Sequence, residues 1–287
     1  MNWILASLLM FTGSVVLYLS VRSSNYQKIS TELNNLAMYI IPLILYLGII
    51  IFSNTSIFLT WHQFIVILVM AVFFSYLGNF ASLKSVELAP NPGYSLVISK
   101  SYVVFTSIVA IFAFGQTLTL RGVIGIVIIL LSSAAISIGK NKDQSKIVKK
   151  DWLVYALIAF FCFGLMSLAS KYILTLGVKI IIRLFYSMLI VSIMIVADSY
   201  KKKIQLQLLS TKHWFTLLLI GISTAFFFYF MQVALDTAPN IGYVNAINAS
   251  SIGAITLLSA YIFKDELNAR KTVGVFGVLV GLILLVI

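Results

Sequence analysis

The sequence predicts an all-α membrane protein of ten transmembrane helices, arranged as two inverted five-helix repeats. Three observations carry that prediction. Of the 287 residues, 61% are hydrophobic and only 10% charged, with a mean hydropathy of +1.06. A soluble domain averages about 45–50% apolar and about 25% charged residues, so this chain has too little polar surface to face water and must be solvated by lipid. The apolar residues gather into ten runs, each long enough to cross a bilayer. The chain also repeats itself at a shift of 149 residues. One cysteine, Cys162, and 4 prolines exclude disulfide scaffolds and collagen, and Cys162 sits in an apolar run as a small buried hydrophobe.

The runs span 3–21, 36–53, 61–83, 92–114, 121–138, 152–174, 180–197, 213–235, 241–263 and 271–287. The first lacks a basic leader and a small-x-small cleavage site, so it reads as a retained span. The repeat shows where residues 89–94, APNPGY, meet residues 238–243, APNIGY. The same shift pairs Glu87 with Asp236, Phe114 with Phe263, Leu118 with Leu267, Arg121 with Arg270, Gly125 with Gly274 and Trp3 with Trp152. At a shift of 151, Thr60, His62 and Phe64 meet Thr211, His213 and Phe215, so the halves differ by a small insertion. The organisation is therefore a first repeat over 1–139, a basic linker over 140–150, and a second repeat over 151–287. Five is an odd number of spans, so the second repeat must enter the membrane from the opposite side. Inverted pairs of this kind place a substrate site near the midplane and support alternating access.

The ten-span plan, the APN-x-GY segment opening the fourth helix of each half, and the F-x-x-x-L-x-x-R-x-x-x-G segment entering the fifth resemble the EamA-type members of the drug/metabolite transporter superfamily. The resemblance covers nearly the whole chain and implies a membrane transporter. EamA repeats usually carry an acidic turn before the last helix. The second half keeps one in Asp265 and Glu266, whereas the first has Gln116 in that place. Capping of the following helix is one role for such an acid.

Basic residues give an orientation. The loops joining helices 1–2, 3–4, 5–6, 7–8 and 9–10 hold Arg22, Lys28, Lys84, Lys140, Lys142, Lys146, Lys149, Lys150, Lys201, Lys202, Lys203, Lys212, Lys264, Arg270 and Lys271. The opposite set holds Arg121, Lys171, Lys179 and Arg183. The positive-inside rule makes the first set cytoplasmic and turns both termini outward, whereas the resemblance implies termini inside. The formal charge of +12 then reports loops facing anionic lipid headgroups rather than nucleic acid.

Within the spans, Lys100 stands out as a cation about nine residues into the fourth run. An ionisable group at that depth is costly and marks function by default, and a lysine there can hold a carboxylate as a point charge. Ser95, Ser99, Tyr102 and Thr106 recur at helical spacing as a polar stripe, with Asn245, Asn248 and Ser251 at matching places in the second half. They are candidates for a substrate-binding surface, or for hydrogen bonds between helices. Lys100 lies well around the wheel from that stripe. Glu87 and Asp236, at equivalent places ahead of the fourth and ninth helices, are candidate gates or helix caps. Gly277 and Gly281 form a GxxxG packing pair, while His62 and His213 mark helix starts.

No HExxH, P-loop, GxSxG or Cys/His cluster occurs, so neither an intramembrane enzyme nor an ATP-driven pump is indicated. The expected function is a secondary transporter in the cell (inner) membrane. Its partners are the lipid bilayer and a small organic substrate, with an anionic or zwitterionic solute as the candidate; a proton is a candidate coupling ion and no cofactor is called for. A multidrug exporter for lipophilic compounds and a non-transporting membrane assembly factor are the alternatives.

Overall fold

The computed structural model describes residues 1–88, 95, 98–138, 151–201, 209–264 and 267–286. Its helices are α1 (Trp3–Tyr26), α2 (Thr31–Phe52), α3 (Trp61–Val69, Met70–Leu77 and Gly78–Leu88, continuous), α4 (Ile98–Phe114), α5 (Leu120–Ser137), α6 (Asp151–Thr175), α7 (Ile180–Lys201), α8 (Thr211–Thr237), α9 (Ile241–Phe263) and α10 (Ala269–Val286). Among the described residues, nine of them are long and apolar enough to cross a membrane, and α4 is shorter. The protein is a multi-pass membrane protein. Several helices outrun their predicted spans: α2 begins at Thr31, and α7 continues to Lys201, which brings Asp198 inside a helix.

The repeat is visible in how helices begin and end. Thr60 caps α3 in a capping box with Gln63, and Ser210 caps α8 in a capping box with His213. Helix α4 stops at Gly115 with φ 62°, and α9 stops at Lys264 with φ 60°. Thr119 starts α5 by accepting the Gly122 N–H, and Asn268 starts α10 by accepting the Lys271 N–H. The last two correspondences keep the 149-residue shift, but the capping boxes lie 150 apart. His213 is thus the counterpart of Gln63, not of His62. Helix α3 consequently holds one residue more than α8 before Glu87 and Asp236 restore the 149 register. The extra residue is absorbed in Met70–Leu77, which is π-helical and takes more residues per turn than an α-helix.

The repeats interlock. Helix α1 lies along α8, α3 along α6, α2 along α7 and α5 along α10, while α9 crosses α4. Exchanging the repeats turns α1–α8 into α6–α3 and maps α2–α7 and α5–α10 onto themselves, so those two pairs straddle a pseudo-two-fold axis. Individual contacts obey the exchange. A Cβ on Gly125 would stand 3.0 Å from the Gly281 carbonyl oxygen and meet Leu285. Its image is Gly274, where a Cβ would stand 2.9 Å from the Ser132 carbonyl oxygen and meet Ile136. Close approach here needs glycine, as in other tightly packed membrane helices. Because the early part of α5 meets the late part of α10, the pair runs in opposite senses, as inverted repeats require. Gly13 against Phe227 is repeated likewise as Cys162 against Gly78, and Cys162 is buried there. Ile44, Ile51, Phe112, Leu131 and Val273 remain exposed, forming part of an apolar exterior.

Candidate functional site

Helix α9 is buried nearly all round at its start, from Ile241 through Ile247, so its polar side chains must find partners inside the protein. Asn245 has none of its surface exposed. Its amide donates to Thr106 on α4 at 3.1 Å, and its carbonyl oxygen accepts from Ser167 on α6 at 3.2 Å. One turn on, Asn248 hydrogen-bonds the buried Tyr102 hydroxyl of α4. Ser251 shares a 3.1 Å hydrogen bond with Ser14 of α1. The stripes of the two repeats therefore meet at Thr106–Asn245 and Tyr102–Asn248, while Ser251 turns to α1.

The other sequence candidates lie apart from that strip. Ser95 donates to Ser85 at 2.6 Å, which donates to the Trp152 carbonyl at 2.9 Å, tying it to α3 and α6. Ser99 is buried. Lys100 lines a pocket of about 30 Å³ with Ser133 and Ser137 of α5 and Ala249 of α9, room for about one water. The Glu87 side chain falls outside the described residues. Asp236 occupies the last turn of α8, where Lys171 of α6 bonds its carbonyl oxygen and lies 3.8 Å from its carboxylate. It does not cap α9, which is started by Asn240 accepting the Gly242 N–H at 2.8 Å.

Residues not singled out in the sequence extend the strip. Asn79 of α3 donates to Tyr39 of α2 at 2.9 Å, and Ser75 also bonds that phenol. Tyr18 of α1 lies near both Tyr39 and Tyr102, and 46% of its surface is exposed. Tyr18, Tyr39 and Asn79 each lie eight or nine residues from the nearer end of their helix, or about 12–14 Å at 1.5 Å per residue. That is close to the middle of a hydrocarbon core about 30 Å thick. Ser75 belongs to the π-helical segment and Asn79 follows it, a common setting for functional residues. Tyr76, in the same segment, bonds the Asp198 carboxylate.

At the end carrying the chain termini, the strip is closed by a latch between repeats. The turn after α4 reaches the start of α9. Gln116 accepts the Ile241 N–H at 2.9 Å, and Thr117 donates its N–H to the Pro239 carbonyl at 3.3 Å. The Tyr243 hydroxyl accepts the Thr119 N–H at 2.9 Å and bonds the Thr119 hydroxyl at 3.1 Å. Trp3 packs against the Tyr243 ring with centroids 6.0 Å apart. Gln116, which stands where an acid is usual, therefore caps a helix of the other repeat rather than the one that follows it.

Comparison with known proteins agrees with this architecture. The model of the EamA-like transporter family matches residues 150–287. A solved structure, described only as the crystal structure of a protein, superposes with a TM-score of 0.80. It shares 12% identity and the match covers 98% of this chain and 97% of that one, which establishes a common fold. No curated protein matches the sequence.

Proposed function

We propose that the chain, whose residues 150–287 match the EamA-like transporter family, is a membrane transporter of the drug/metabolite type and moves a small polar organic metabolite by alternating access. The observation that carries this reading is the set of polar side chains Tyr18, Tyr39, Asn79, Tyr102, Asn245 and Asn248, contributed by both repeats inside the bundle. Hydroxyl and amide groups of this kind orient a ligand in a largely apolar pocket. The exposure of Tyr18, with the latch closed at the terminal end, supports reading this conformation as one open toward the basic loops. Lys100 would bias transport toward anionic or zwitterionic solutes. Glu87 and Asp236 would act as gates at opposite ends.

Reconstituted vesicles offered amino acids, sugars and cationic dyes test the reading. The expected result is saturable uptake of one polar class, reduced by Tyr102→Phe and by Lys100→Gln at normal expression. Movement of dyes alone would favour a multidrug exporter. If no solute crosses faster than in protein-free vesicles, the transporter reading fails in favour of an assembly role.

A further inference from the structure

Arg183 carries an inference that the sequence did not suggest. Its place four residues into α7 counts it with the loop cations, yet only 1% of its surface is exposed. It is among the largest fully buried side chains described. Its Nη2 donates to Ser170 on α6 at 2.7 Å, and its Nε has no partner among the described residues. No described carboxylate pairs with it. Ser187, one turn along the same face of α7, is buried with its hydroxyl also unpartnered. The Tyr46 phenol of α2 lies within electrostatic reach of the guanidinium. Tyr46 is two turns from Tyr39 on the same face of α2, so this cluster continues the polar strip toward the terminal end.

The repeat supplies the control. The counterpart of Arg183 at the 149-residue shift is Asn34. Asn34 is also buried, and it accepts a 2.6 Å hydrogen bond from Ser24 of the preceding helix. A neutral amide thus suffices to tie the second helix of a repeat to the first. Arg183 makes the corresponding tie to Ser170 but adds a charge and a spare N–H that this structural task does not need. A buried charge without a counter-ion is costly to keep.

We propose that Arg183, held in place by Ser170 and joined by Ser187, binds the carboxylate of the transported solute. The Nε–H and the adjacent Nη2–H form one edge of the planar guanidinium, which matches two carboxylate oxygens. The Ser187 hydroxyl, which has no partner among the described residues, supplies a further donor, whereas the Tyr46 hydroxyl already donates to the Ala225 carbonyl at 2.7 Å. With α2 and α7 closed on each other, as here, the edge is sealed; a solute reaches it when that pair separates. This inference rests on the transporter reading and names the class of its substrate.

The test uses the purified full-length chain in detergent, with thermal unfolding followed against lactate, glutamate, succinate and benzoate. Lactamide, inorganic phosphate and chloride serve as controls. At least one carboxylate should raise the unfolding temperature saturably, and lactamide should not. Arg183→Met should unfold at a higher temperature than the native chain when no carboxylate is present, and should lose the response. Arg183→Lys should weaken apparent affinity at least about tenfold, the size of one charge-assisted hydrogen bond. Asn34→Ala should lower the unfolding temperature while keeping the response. The proposal is overturned if no carboxylate stabilises the native chain, if phosphate alone does, or if Arg183→Met or Arg183→Lys responds as the native chain does. Vesicle assays separate the two readings. A carboxylate that binds but is not carried leaves the site and removes the transporter. Transport of neutral solutes alone, unchanged in Arg183→Lys, leaves the transporter and removes the site.

Discussion

The segment that opens α9, APNIGY, has APNPGY as its counterpart in the sequence of the first repeat, and the two differ in one atom that matters. Ile241, the first residue of α9, has an amide N–H that Gln116 accepts. Its counterpart, Pro92, has none. Proline is well tolerated at a first helical position, where the N–H lacks an intrahelical partner, so both sequences can start a helix. Only the second can be held by an acceptor from the other repeat. Two ends that topology makes equivalent are thereby made unequal, and a transporter that must close first one end and then the other can set their balance with so small a difference.

Five substitutions would break or sharpen that contrast. The largest effect is expected from Gly242→Val. A Cβ there would lie 1.7 Å from the Ser107 hydroxyl and 2.9 Å from the Asn240 side chain, both buried. Overpacking of this kind costs about 1–3 kcal/mol or more, so thermal unfolding in detergent should drop by several degrees; an unchanged midpoint would mean that the segment is not tightly docked. Next comes Gln116→Leu, which leaves the Ile241 N–H without its acceptor at a cost of about 1–3 kcal/mol. A cysteine at Thr117, in a Cys162→Ser background, should then label faster from the terminal side. Ile241→Pro makes the second repeat resemble the first and should give the same gain in labelling with little loss of helix. Equal labelling in all three proteins would show that the latch does not govern closure.

A smaller effect, of opposite sign, is expected at the ends of the same helices. Gly115 and Lys264 share a left-handed conformation, which an L-residue adopts at a cost of about 1 kcal/mol and glycine does not. Lys264→Gly should raise the unfolding midpoint slightly. The smallest effect belongs to Asp236→Asn. The Asp236 side chain is half exposed and its ion pair with Lys171 is long at 3.8 Å, so about 0–1 kcal/mol is at stake. A shift in cysteine accessibility at unchanged stability would then identify Asp236 as a gate, and no shift would leave it a surface pair.

The repeat, the ten spans and the matching polar faces of α4 and α9 were legible because each leaves a periodic trace. Hydropathy finds spans, self-comparison finds the duplication, and Tyr102 and Asn248 recur at helical spacing. The rest of the strip leaves no such trace. At the same shift, Tyr18, Tyr39 and Asn79 fall opposite Ser167, Met188 and Phe228, so comparing the halves passes over them. Arg183 stayed hidden because a residue one turn inside a span looks like a loop cation, and hydropathy cannot tell a face that meets lipid from one that meets protein. The π-helical segment announced itself only as a small mismatch of register.

The interlocking of the repeats also has a consequence in time. Ser14 bonds Ser251 across 237 positions of the chain, and α1 finds its main neighbour in α8. At a synthesis rate of about 5–20 residues per second, α1 waits on the order of 10–50 s before its partners leave the ribosome. During that interval its buried serines face lipid or the insertion machinery, so neither half can finish folding before the other arrives. The bundle is completed at the end of translation, and late-synthesised helices decide whether early ones are kept.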